Sequence, residues 1–257
     1  MTASSPPSAR TLYSEMDLWL RRYQPAPDAT HHLLCLPYAG GSASYFVPVA
    51  RALAPAIDVL AVQYPGRQDR YREPYLTSMD ELADRVTEVV APVIDRPLAI
   101  FGHSMGASLG YEIARRLTDR GIEPELLVVS GRRAPSAVRD ERFHEKRDDE
   151  LIAEIVRLGG TEAALLADPE VRAMVLPAVR TDYRVAELYR HTPGTEPRCP
   201  VLALVGDADP KADIDEVRRW ADHSEGPFEL EVFPGGHFYL NHAVPQILEH
   251  IRSRLLG

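Results

Sequence analysis

The sequence predicts an α/β fold, with a mostly parallel central sheet covered by helices on both faces. Three observations predict it. Short runs rich in Leu, Val and Ile alternate along the chain with segments of helical period. These runs are apolar throughout rather than at every second position, the pattern of strands buried on both faces. One long stretch, between Arg132 and Arg198, has no strand-like run, so it reads as a helical insertion after which the sheet resumes.

The elements follow in order. His32 to Pro37 (HLLCLP) is the first strand, and Ala43 to Leu53 is a helix interrupted by Pro48. A strand over Ile57 to Gln63 precedes a helix over Met79 to Val93, whose Leu82, Val86, Val89 and Val93 share one face. The strand Leu98 to Phe101 runs into a helix with Leu109, Ile113 and Leu117 on one stripe, followed by a strand over Glu125 to Ser130. Within the insertion, Glu150 to Leu158 and Pro169 to Tyr189 are amphipathic helices joined through Gly159 and Gly160. The sheet then resumes with Pro200 to Val205, helix Ile214 to Ala221, strand Phe228 to Phe233 and a closing helix, Val244 to Leu256. An insertion placed there, about 134–197, is where a lid would sit in a single domain spanning 1–257; an extra packing layer is the plainer alternative.

Composition narrows the function. A chain of 257 residues can bury one large core, and 45% hydrophobic with 26% charged residues is ordinary for a globular protein. A net charge of −9 argues against nucleic-acid or anionic-membrane binding, which need broad basic surface. No apolar run approaches a membrane span, and the opening MTASSPPSAR lacks the apolar centre of a signal peptide, so a cytoplasmic protein is expected. Cys35 and Cys199 lie far apart and are expected as two buried thiols rather than a disulfide. No Cys/His cluster has metal-ligand spacing, and the serine chemistry read below needs neither metal nor organic cofactor. A monomer is the default state.

The chemistry concentrates in four places. RPLAIFGHSMG, from Arg96 to Gly106, ends a strand on G-x-S-x-G and opens a helix, the setting of a nucleophile elbow with Ser104 as nucleophile. A serine that attacks an acyl carbon needs a neutral imidazole within reach. Of nine histidines, His237 in FPGGHF follows a strand directly, on a glycine turn that can aim the ring. His103 adjoins the serine and should point elsewhere, while His31 and His32 are expected at the surface and His242 in the next segment. The acid belongs after the strand between elbow and histidine, where VLALVGDADP offers Asp207 and Asp209. Asp209 is preferred because the turn gives it room to swing towards the histidine, leaving Asp207 as a turn-stabilising side chain. Backbone N–H groups of Met105, after the nucleophile, and Ala39, in the glycine loop LPYAGGSA, are the expected oxyanion hole. This order of Ser, acid and His is that of the α/β-hydrolase fold.

With LPYAGGSA, YPGRQDRYREP, FGHSMG, SGRRAP, RLGGT, LPAVRTDYRVAELY, GDADP and FPGGHFYL in this order, the chain resembles the type II thioesterases. These are free-standing α/β-hydrolases that serve polyketide synthases and nonribosomal peptide synthetases. The resemblance runs from about Leu33 to Leu240. It implies a helical lid and hydrolysis of acyl groups from phosphopantetheine thioesters on acyl or peptidyl carrier proteins, and it supports Ser104, Asp209 and His237 as the triad. Two alternatives differ in substrate or class: a small-molecule carboxylesterase or lipase with the same triad, and a non-catalytic binding module on a hydrolase scaffold. Because carrier proteins are acidic, a local basic patch would have to steer docking. Arg132, Arg133, Arg139, Arg142, Lys146 and Arg147 are the densest candidates, against the plainer reading of a solvated face.

Overall fold

The computed structural model describes residues 15–160 and 166–257. Seven strands form one sheet in the order β1-β3-β2-β4-β5-β6-β7. They are β1 (Leu20–Arg21), β2 (His31–Leu36), β3 (Ile57–Val62), β4 (Leu98–His103), β5 (Leu126–Ser130), β6 (Val201–Gly206) and β7 (Phe228–Phe233). All neighbours pair in parallel except β1, which runs antiparallel to β3 through Leu20 opposite Val62. The sheet agrees with the sequence except at β1, which is two residues long and too short for any pattern to show.

The uniformly apolar strands are explained by two cores. Leu34, Ile100, Leu127 and Ala203 face one, and Leu33, Ala99, Val128 and Leu202 the other. Successive side chains thus alternate between two buried faces. The first core is closed by α2 (Met79–Val90) and α3 (Met105–Asp119), the second by α1 (Val47–Leu53) and α7 (Leu240–Leu255).

Prolines and caps set the helix ends. The expected helix from Ala43 is a 3₁₀ turn, Ala43–Phe46, followed by α1, with Pro48 in the first turn where its missing N–H costs nothing. Ser78 caps α2 by accepting from the Glu81 N–H at 3.1 Å, and at its other end Ala91–Val93, which contains Pro92, tightens into a 3₁₀ turn. The closing helix begins at Leu240 rather than Val244 and carries Pro245 inside, which forfeits one backbone hydrogen bond. The insertion holds α4 (Asp148–Leu158), which ends on left-handed Gly159, and α5 (Pro169–Leu188), capped by the Asp168 carboxylate. These helices have a small core of their own, including Leu151, Ile155, Leu176 and Tyr183. After β6, α6 (Ile214–Arg218) passes into a 3₁₀ turn, Arg219–His223.

Two expectations about histidine are corrected. His32 is buried, not at the surface: its Nε2 lies 2.9 Å from Asp95 Oδ1 and its Nδ1 3.4 Å from Asp58 Oδ2. His31, the first residue of β2, is largely covered and sits 3.1 Å from Glu125. A strand that starts beside carboxylates can bury imidazoles that sequence alone would place in water.

Where chain spacing offered no metal cluster, folding brings His191, Glu196 and His223 together, with one ligand atom of each within 4.8 Å of the others. Glu196 and His223 are engaged by protein, while His191 Nδ1 is buried without a hydrogen-bond partner among the described residues. The Tyr111 hydroxyl donates to Glu196, and His223 Nε2 lies 2.9 Å from Ser136 Oγ. Burial, with His191 adding to it, lowers the His223 pKa from 6.5 to about 4. The folded state therefore binds fewer protons than the unfolded one between these values, and stability must fall as pH drops from 6.5 towards 4. His103, also held neutral by burial, acts in the same direction. His223→Gln should flatten part of that slope, as measured by urea unfolding across a pH series; a wild-type slope in the variant would remove His223 as a source.

Candidate active site

Ser104 stands between β4 and α3 with φ 56° and ψ −117°, a conformation costly for a residue with a Cβ. Its backbone is fixed by the Ser104 N–H donating to Ser130 O at 2.8 Å. The flanking glycines make the turn possible. A Cβ on Gly102 would lie 2.0 Å from Gly106 O, and one on Gly106 would lie 2.2 Å from Leu36 O. Both contacts are far inside van der Waals range, so the elbow closes only with glycine at both positions.

The acid and the histidine arrive from the loops that follow β6 and β7. His237 Nε2 lies 3.0 Å from Ser104 Oγ, and its Nδ1 lies 2.9 and 3.0 Å from the two Asp209 carboxylate oxygens. Since a carboxylate only accepts, Nδ1 carries the proton and Nε2 is left to accept from the serine hydroxyl. The Asp209 carboxylate is fully buried and also accepts from the Lys211 N–H at 2.8 Å. The structure thus brings Ser104, His237 and Asp209 into one relay. Asp207 points away: its exposed carboxylate accepts from the Gly235 N–H at 2.8 Å, holding the loop that carries His237.

The oxyanion candidates flank the serine. Met105 is the first residue of α3, so its N–H belongs to the first turn, which has no intrahelical acceptor and carries the positive end of the helix dipole. Ala39 lines the same cavity as Ser104 and His237. That cavity is about 70 Å³, with Ile155, Val175 and Val179 of the insertion on its walls.

Several neighbours escaped the sequence. His103 is buried against His237, ring centroids 5.0 Å apart, with its Nδ1 2.9 Å from Ser130 Oγ, which is 2.6 Å from the Tyr239 hydroxyl. Burial, reinforced by the adjoining His237 ring, holds its pKa well below the usual value, so it backs the site as a neutral ring. Arg132 also lines the cavity, bonding Ser108 Oγ and Ala186 O, both at 2.9 Å. Burial, with the neighbouring Arg133 charge, brings its pKa down to about 10. The only hint in sequence was the position of SGRRAP directly after β5.

The basic segment is not the free patch that its composition suggests. Arg132 faces inward, and Arg133 is buried and paired with Glu141 at 3.0 Å. Arg139 pairs with Glu216, Arg142 with Asp140 and Arg147 with Asp149. Arg132 and Arg133 are thus taken up inside the protein, while Arg142, Lys146 and Arg147 stay exposed, the two arginines beside acids of the same segment. The two thiols are poor competitors for Ser104: both are buried, and burial pushes Cys199 up to about 12 and Cys35 higher still.

The sequence pattern of the Thioesterase domain matches residues 31–255. The chain belongs to the thioesterase family. Among its relatives, the thioesterase PikA5 of Streptomyces venezuelae is 49% identical over 96% of this chain and 89% of its own. The solved type II thioesterase BorB from the borrelidin biosynthetic cluster superposes with a TM-score of 0.88 at 50% identity, covering 93% of this chain and 98% of that one. RedJ, a thioesterase of the prodiginine pathway in Streptomyces coelicolor, gives 0.84 at 36% identity, covering 90% and 94%. The fold is that of the α/β-hydrolase thioesterases, and the chain is an enzyme of that type.

The two aspartates separate by experiment. In a serine protease, replacing the triad acid by its amide lowers turnover about 10⁴-fold by favouring the wrong tautomer. Asp209→Asn in this thioesterase should likewise lose several orders of magnitude in kcat while staying folded. Asp207→Ala should cost about 1 kcal/mol of stability, the worth of one hydrogen bond, and little turnover. Turnover measured beside melting temperature checks both, and a dead, well-folded Asp207→Ala would reverse the assignment.

Proposed function

We propose that Ser104, His237 and Asp209 are the catalytic triad of a type II thioesterase that clears acyl groups from carrier proteins of polyketide or nonribosomal peptide assembly. The observation that carries this reading is the Ser104–His237–Asp209 relay, with separations of 3.0 and 2.9 Å, at a cavity under the insertion. Similar type II thioesterases from the borrelidin biosynthetic cluster and from a yersiniabactin NRPS/PKS pathway support this substrate class.

Ser104 Oγ attacks the thioester carbonyl carbon as its proton passes to His237 Nε2. Asp209 keeps the imidazole in the tautomer that can accept this proton and stabilises the imidazolium that forms. Met105 and Ala39 N–H groups bind the oxyanion of the tetrahedral intermediate. The C–S bond then breaks, and the phosphopantetheine thiol leaves with the proton from His237. Water attacks the acyl-enzyme, giving a proton to His237, and collapse returns it to Ser104 Oγ with release of the carboxylic acid. The groups that act in this route are side chains and backbone of this chain, with water as co-reactant, so the route calls on no metal or organic cofactor. Within one domain (1–257), the insertion at about 134–197 acts as the lid; Ile155, Val175 and Val179 beside Ser104 support this. A cytoplasmic setting accords with two free buried cysteines, and among the described residues no helix is long and apolar enough to cross a membrane.

A panel of carrier-bound thioesters differing only in the acyl group tests the reading, with matched oxygen esters alongside. The wild type should prefer the thioesters, and Ser104→Ala should abolish turnover without unfolding. A slowly hydrolysed thioester should leave its acyl group on Ser104. Acyl transfer to Cys35 or Cys199 would overturn the nucleophile, better turnover of oxygen esters would favour a carboxylesterase, and inertness towards every acyl substrate would favour a binding module.

A further inference from the structure

The loop that carries Ala39 is held in place by the insertion. The Gly40 N–H donates to Asp182 Oδ2 at 2.7 Å, and Asp182 lies on α5. Arg67 grips the same carboxylate with two hydrogen bonds, Nη1 to Oδ2 at 2.5 Å and Nη2 to Oδ1 at 2.9 Å. Its Nη1 also reaches Gly41 O at 3.2 Å. Both side chains are almost wholly buried, at 9% and 4% exposure. Two-pronged pairing of this kind fixes orientation as well as distance.

The loop is a tight turn closed by the Gly41 N–H donating to Tyr38 O at 2.8 Å. In a trans peptide the C=O of one residue and the N–H of the next point in opposite directions. Fixing Tyr38 O inside the turn therefore aims the Ala39 N–H out of it, and Ala39 lines the cavity. Asp182 holds the next peptide unit, at the Gly40 N–H, and Arg67 holds the one two further on, at the Gly41 C=O. The approach is close. Gly40 has φ +81°, and a Cβ there would lie 2.6 Å from Val179 Cγ2, one helical turn before Asp182.

We propose that Asp182, oriented by Arg67, is a positioning residue for the oxyanion hole, so that α5 completes the catalytic site as well as covering it. The oxyanion loop and this part of α5 move as one body, and displacing the helix disarms the Ala39 N–H. The inference rests on the reading of Ala39 as an oxyanion donor.

Three variants at one position test it. Asp182→Ala removes both the Arg67 pair and the acceptor for Gly40. Asp182→Asn also breaks the ion pair but keeps an oxygen for the Gly40 N–H. Both should lose stability, yet only Asp182→Ala should lose much turnover: a fall in kcat approaching the ~10²-fold seen when an oxyanion donor is removed, with KM little changed. Equal kcat losses in the two variants, or a folded Asp182→Ala with wild-type kcat, would overturn the proposal. If Asp182→Ala does not fold, Asp182→Glu keeps the charge for Arg67 but shifts the carboxylate by one methylene. It should lower kcat at near-normal KM, and an unchanged kcat would again overturn the proposal. The rate at which a fluorophosphonate labels Ser104 should drop in parallel. That rate needs no thioester, so a wild type inert to thioesters would sink the substrate reading while the labelling series still decides this one.

Discussion

The structure depends on one close approach. β4 must pass into α3 through a single residue at positive φ, with the new helix lying against the end of β2. Leu36 O, Gly102 and Gly106 meet there at distances that leave no room for a side chain. The same contact places Ser104 at the start of α3, so that the Met105 N–H opens the helix beside it. It also sets the end of β2 from which the Tyr38–Gly41 turn departs. Ser104, the start of α3 and the glycine loop are thereby one geometric unit, and His237 and Asp209 are delivered to it by the loops after β7 and β6.

Around that unit the protein arranges its polar groups in layers. His237 is backed by neutral His103, which is backed by Ser130 and Tyr239. Asp209 is shielded from water and satisfied by both the imidazole and a backbone N–H, so its charge is directed at one ring. On the insertion side, Asp182 and Arg67 are a buried ion pair with its hydrogen bonds satisfied. Such a pair contributes little net stability, because desolvation offsets attraction. Its better explanation is orientational. The insertion has its own small core, yet it is bound to the hydrolase frame where catalysis needs rigidity.

Much of this was legible in the sequence, for reasons that differ by residue. Strands β2 to β6 showed as continuous apolar runs because both faces are buried, and Ser104 and His237 showed because their turns require glycine. The preference for Asp209 over Asp207 followed from the room the turn provides, with Pro210 as a local constraint on backbone. What stayed hidden depends on contacts across long stretches of chain. Gly40 meets Asp182 across 142 positions, and Arg67 meets it across 115. No local period signals either. Part of the charge run from Arg132 to Arg147 is engaged in the same way: Arg139 pairs with Glu216, 77 positions on, and Arg132 bonds Ala186 O, whereas Arg142 and Arg147 pair with acids two positions away. His32 was misplaced because its partners, Asp58 and Asp95, come from other elements.

The partition of alternate strand residues between two cores limits how this scaffold can change. A residue inserted into β4 would send each side chain beyond it to the opposite face, mismatching both cores at once and turning the elbow out of line. Length is therefore frozen within the strands and free between them. The widest freedom lies between β5 and β6, where the chain leaves the sheet for the whole insertion. Descendants of this scaffold can acquire new acyl preferences by lengthening or remodelling that excursion. They must do so while keeping the stretch from Val179 to Asp182, which meets the glycine loop at Gly40.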